Sequence, residues 1–167
     1  MNEERQPVNM ALGALLAEFK RHIRMTSNDM DAELNSILLA AITHAEHHIG
    51  KIILRSRFVL ECQFSSSVTL RVPIVNVEGF EVDGTEIAGY SVEGRTLMAP
   101  QGASGQQMKV TYVAGYGCIP ADMKAAIFLH ATSLFNNPAD SVETLTKASQ
   151  NLLRPYRSWG MSDGEQD

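Results

Sequence analysis

The feature that most limits this fold is a change of apolar period near residue 57. Before it, Leu34, Ile37, Leu38, Ala41, Ile42, Ala45 and Ile49 recur at three- and four-residue steps, the stripe of one helix face. After it, Arg57-Phe58-Val59-Leu60-Glu61-Cys62-Gln63-Phe64 and Ser67-Val68-Thr69-Leu70-Arg71-Val72 alternate in the manner of half-buried strands. The helical period returns at Met123, Ala126, Ile127, His130, Ala131 and Leu134. Strands gathered in one block between helices do not make a βαβ series, so a dinucleotide-binding fold is not expected.

The remaining segments can be placed around that frame. Residues 1–8 are polar and read as a flexible N-terminus. Met10, Leu12, Leu15, Leu16, Phe19 and Ile23 predict a helix over 9–24. Thr26-Ser27-Asn28-Asp29 compete for the backbone with their side chains and separate it from a helix over 29–50. Asp29, Asp31 and Glu33 suit that helix's positive first turn, and Gly50-Lys51 its stop. The β region spans 57–113, with Asp83-Gly84 and Glu93-Gly94 as turns and Gln101–Gly105 as a loop tip. Pro120 opens a helix over 121–136, a short helix follows over 147–153, and 161–167 is an acidic tail. The expected fold is therefore α+β but mainly α. It is one domain over 9–160, a bundle of about three long helices plus a short C-terminal helix, with an inserted antiparallel sheet region.

A chain of 167 residues buries roughly 70% of its unfolded surface, enough for a real core. Hydrophobic residues at 44% and charged residues at 20% are ordinary globular values. Fourteen Lys and Arg against nineteen Asp and Glu give a net charge of −5, unsuited to clamping DNA. The apolar runs fall short of the roughly 20 residues of a membrane span, and the acidic start does not read as a secretory signal. Cys62 and Cys118, without a CxxC pair, read as free thiols rather than a zinc site.

One cluster carries possible chemistry. His44 and His48 stand at i and i+4, within reach of one metal, and His47 lies between them. Ala45 holds the place where a zinc protease has glutamate, so the alternative reading is a polar helix end where imidazolium meets the dipole. Gly115-Tyr116-Gly117 lacks a following Gly-Lys-Ser/Thr and reads as a strand-to-helix turn. Glu61, Glu78, Glu81 and Glu86 are scattered through the strands and read as solvated faces. No catalytic, cofactor or metal residue is assigned. Leu152, Leu153, Arg154, Tyr156, Arg157 and Trp159 have the composition of interface anchors and are the candidate assembly contacts. They can equally cap the domain's own core.

The order of these pieces resembles the head–tail connector, or head-completion adaptor, proteins of tailed bacteriophages and prophages. The resemblance runs over residues 10–157. It is carried by the helix Leu34–Ile42 continuing to Glu46 and Gly50-Lys51, then by Val72-Pro73 with Val77. Thr111-Tyr112-Val113-Ala114-Gly115-Tyr116-Gly117 with Pro120, Met123-Lys124 and Ala126-Ile127 follows, and Leu152-Leu153-Arg154-Pro155-Tyr156-Arg157 closes the series. It implies no catalysis and no cofactor. It implies a virion protein, assembled in the host cytoplasm, that forms a homo-oligomeric ring matched to a dodecameric portal. Its partners would be the portal protein and a tail or neck completion protein. DNA would pass through without specific binding, and no membrane would be involved. The competing readings are a small metal protein or enzyme built on His44, His47 and His48, and a prophage-encoded binding module.

Overall fold

The computed structural model describes residues 2–7, 9–137 and 145–157, which fall into two compact units. The first, Met1–Asp31 with Ile52–Ile119, holds the sheets; the second, Ala32–Lys51 with Pro120–Asp167, holds the later helices.

The sheet unit contains β1 (Asn2–Pro7), α1 (Asn9–His22), β2 (Ser56–Gln63), β3 (Ser67–Thr69), β4 (Ile74–Val82), β5 (Thr85–Glu86), β6 (Ser91–Glu93), β7 (Thr96–Met98) and β8 (Gln107–Ala114). Five strands form one antiparallel sheet in the order β1-β2-β8-β4-β5, and β3-β7-β6 form a second. Strand β8 lies at the centre of the larger sheet, pairing with β2 from Ser56 opposite Ala114 to Gln63 opposite Gln107. Its other edge meets β4, whose register shifts twice, between Ile74 and Asn76 and between Val77 and Gly79. Phe58, Leu60, Leu70, Phe80, Val82, Leu97, Met108, Val110 and Tyr112 form a continuous buried cluster. Each such side chain contributes about 1.5–3 kcal/mol of transfer free energy, so the sheets have a core of their own.

That core overturns the mainly α bundle. Among the described residues the chain is 39% helical and 30% strand, with two antiparallel sheets. Alternation in β2 and β3 suggests strands with one wet face, a minor insert. Strand β8 is instead buried at every residue from Val110 to Ala114, so both of its faces are covered. Helix α1 also groups with the sheets rather than with the other helices.

The N-terminal segment is a second correction. Residues 2–7 are not loose but form β1, in register with β2 from Asn2 opposite Glu61 to Pro7 opposite Ser56. No apolar alternation drives this; polar side chains tie the strand down. The Arg5 guanidinium donates to Ser56 Oγ at 3.0 Å and to the Leu54 carbonyl at 3.3 Å, and lies 5.8 Å from the Phe58 ring centre. Glu3 accepts from the Tyr112 hydroxyl at 2.9 Å and from Arg71 Nε at 3.1 Å.

Helix α1 stops in a Schellman arrangement, with Arg24 left-handed at φ 57°, Met25 N–H on the Lys20 carbonyl and Arg24 N–H on that of Arg21. Lys20 Nζ then reaches Asn28 Oδ1 and Asp31 Oδ1, each at 2.6 Å, fixing the start of the next helix.

The helical unit contains α2 (Asp31–Ile49), α3 (Ala121–Asn136), α4 (Lys147–Leu153) and a 3-10 turn at Arg154–Tyr156. Leu34, Leu38, Ala41, Ile42, Ala45 and Ile49 are buried along α2, and Met123, Ala126, Ile127, Phe128, His130 and Ala131 along α3. Ile37 and Leu134, members of the same stripes in the sequence, are only half-buried. Helix α4 docks on α3 through the fully buried Ser149, whose hydroxyl donates to the Ala126 carbonyl at 2.9 Å.

Candidate assembly surface

The C-terminal segment that the sequence nominates for assembly begins at a capped helix. Thr146 Oγ1 accepts from Ser149 N–H at 3.3 Å, satisfying one of the free amides of the first turn of α4. The candidate contacts then divide by position. Leu153 is fully buried within its own subunit, a core residue rather than a contact. Leu152 and Tyr156 are half-buried, while Arg154 and Arg157 are exposed. Trp159 lies outside the described residues.

Arg154 and Arg157, with Gln150 and Asn151, line a cleft of about 160 Å³ whose other wall is His48 of α2. The Gln150 amide nitrogen donates to the Leu145 carbonyl at 2.8 Å, which anchors that wall. Among the described residues no carboxylate lines the cleft. The segment 145–157 that supplies most of it carries Lys147, Arg154 and Arg157 but no Asp or Glu. Among the described residues the cleft is thus locally cationic in a chain of net charge −5, and the exposed Arg154 guanidinium is suited to carboxylate or phosphate oxygens.

The histidines do not converge on a metal. Among the described residues no group of three or more His, Cys, Asp or Glu side chains is placed to hold one. His47 is exposed and His48 faces the cleft. His44 turns to a partner 86 residues away, its Nδ1 standing 2.8 Å from His130 Nε2. The two rings lie 5.1 Å apart, tilted by 44°. His130 is fully buried and its Nδ1 has no hydrogen-bond partner. Burial first, and the neighbouring His44 second, hold the His130 imidazole below its ordinary pKa. The sequence signal for this pair was His130 itself, a polar residue standing in an otherwise apolar stripe.

The scattered carboxylates also find positions. Glu78 pairs with Arg57 at 2.7 Å on an exposed surface. Glu81 lies directly opposite Glu86 across β4 and β5, and its nearest cation is Lys109 at 3.9 Å. Gly115 serves backbone packing: its φ is 118°, and a Cβ there would stand 2.6 Å from Arg55 Cα. The strand-to-helix turn therefore accounts for that glycine without a phosphate.

No protein-family model matches this sequence, and no curated protein matches it. Solved structures do. A chain from the virion of a native gene transfer agent particle aligns with a TM-score of 0.76 at 23% identity, covering 98% of this chain and 99% of that one. A chain from the neck of the native particle, computed with C12 symmetry, gives 0.74 at 23% identity, with 98% and 97% covered. The neck of the empty particle, computed with C6 symmetry, supplies another at 0.73 and 21% identity, with 96% and 98% covered. The chain has the fold of these particle components over 96–98% of its length. The resemblance drawn from residues 10–157 is borne out at that level.

Proposed function

We propose that this chain is a structural head–tail connector, a ring of identical subunits at the neck of a phage-like particle. The observation that carries the reading is the two-way, nearly complete structural match to chains of a particle neck and virion, one of them in C12 symmetry. A domain grafted into an unrelated protein would match in part of its length. A twelvefold ring fits a dodecameric portal on one side and a tail or neck completion protein on the other. No step of this role needs a reaction or a cofactor.

The physical features agree with such a part. Rings close through heterologous contacts, which require two different faces on one subunit, and this chain offers a sheet unit and a helical unit. DNA crossing the ring must slide, and a subunit of net charge −5 does not gather phosphates. Among the described residues no helix is long and apolar enough to cross a membrane.

The test is deletion of the gene in cells that produce the particle, with electron microscopy of the lysate. The expected result is separate heads and tails, with joined particles restored by a wild-type copy. Normal joined particles in the deletion strain would remove the connector role.

A further inference from the structure

We propose that the cationic cleft of the helical unit seats the acidic β4–β5 edge of a second copy of this chain, bringing Arg154 of one copy against Glu86 of the next. The inference rests on the ring reading and names the contact that joins neighbours in it.

Two surfaces with unmet electrostatic needs carry the argument. On the cleft side, among the described residues, the Arg154 and His48 side chains have no hydrogen bond or ion pair and no carboxylate lines the wall. On the edge side, Glu81 and Glu86 face each other in register on the same side of the sheet, a like-charge cross-strand pair that destabilises the hairpin. Lys109 answers Glu81 only at 3.9 Å, and Glu86, exposed, has no partner among the described residues. The neighbouring Asp83 is already used, accepting the backbone N–H groups of Gln106 and Gln107. An added guanidinium would relieve the pair and satisfy itself in a bidentate contact.

The division of the two patches between units suits a ring. They lie in different units, so each copy carries one donor surface and one acceptor surface. That is the heterologous arrangement from which rings are built when the rotation between copies closes. Strand β5 is only two residues long and exposed, so it offers a neighbour charge rather than an open hydrogen-bonding edge. Phosphate would also fit the Arg154 guanidinium. The acidic edge favours the carboxylate, because a phosphate in the cleft would leave Glu81 and Glu86 unrelieved.

Sedimentation velocity over rising concentration tests the contact with four proteins: wild type, Arg154→Glu, Glu86→Arg and the double exchange. Each single variant should raise the concentration for half-association by roughly tenfold or more, and the double exchange should return it to within about threefold of wild type. Wild-type association should also weaken as salt rises, since the groups are exposed. The neutral variants Arg154→Gln and Glu86→Gln should lose less than the reversals, and circular dichroism should show all of them folded. A double exchange no better than the singles overturns the contact, as does a wild type that stays monomeric throughout. Single variants that associate normally but lose binding to a DNA duplex would also overturn it and assign the cleft to phosphate. The deletion experiment above does not depend on this contact, so failure of one reading is visible without failure of the other.

Discussion

In the sheet unit the buried Tyr112 hydroxyl donates to Glu3 and accepts from the Arg71 N–H at 3.2 Å, whereas in the helical unit the buried His130 ring has one partner and a bare Nδ1. Each unit has fully buried apolar side chains: Phe80 and Leu38 are both inaccessible. The difference lies in the polar groups. The sheet unit closes its buried polar groups into a network that spans 109 residues of sequence, from Glu3 to Tyr112. The helical unit keeps an unsatisfied nitrogen inside and a cationic cleft outside. A buried polar group without a partner costs about 1–3 kcal/mol, so the helical unit pays stability that the sheet unit keeps.

The largest expected effects test whether the cores really are equivalent. Phe80→Ala should lower the unfolding free energy by about 3–5 kcal/mol and Leu38→Ala by about 2–5 kcal/mol, measured by denaturant titration. A loss below about 0.5 kcal/mol at either position would mean that its face is not buried, and the comparison would fail at its first step.

A smaller effect isolates the network. Glu3→Ala leaves the Tyr112 hydroxyl without its acceptor and frees Arg71, at a cost of about 1–3 kcal/mol. Hydrogen exchange should show it locally, with β1 amides losing protection while β2 and β8 amides in the same sheet keep theirs. Unchanged protection in β1 would show that backbone pairing alone holds the strand. Burial pushes the Tyr112 phenol well above its ordinary pKa, so the network stays intact through mildly alkaline solution.

These same residues show what the sequence could and could not reveal. The stripe of α2 was legible because six residues at helical spacing all face one way and are all buried. The Asp83-Gly84 turn was legible because φ values of 48° and 79° need residues tolerant of the left-handed region. Strand β1 was not, since Arg5 and Glu3 act through partners about 50 to 110 residues away, and no local period records them. The balance of the two units is not legible in the sequence, because alternation reports how one strand is covered, not how much core several strands make together. In the candidate surface, Leu152-Leu153 gave no phase within a helix of seven residues, so the fully buried Leu153 was indistinguishable from its half-buried neighbour. Arg154 and Arg157 were legible by composition alone, but the cleft they share with His48 needed the fold.

The smallest expected effect sharpens the comparison where the helical unit departs from the sheet. His130 sits fully buried, and burial together with His44 holds its pKa below the ordinary 6.5. In the unfolded chain the same imidazole takes a proton near its ordinary value. Above that value both states are neutral at this site, and its contribution to stability is whole. As pH falls through 6.5 the unfolded state binds a proton that the folded state refuses, so stability declines until the folded pKa is reached. The decline from one proton cannot be steeper than about 1.4 kcal/mol per pH unit. Denaturant titrations between about pH 7.5 and about pH 5 should therefore show wild type losing stability faster than His130→Gln, the difference cancelling the remaining histidines. His44→Gln should give an intermediate slope, because it removes the neighbouring charge and leaves the burial. Parallel lines for wild type and His130→Gln would mean that the imidazole is protonated as easily inside the fold as outside. The helical unit would then tolerate its polar interior as readily as the sheet unit does.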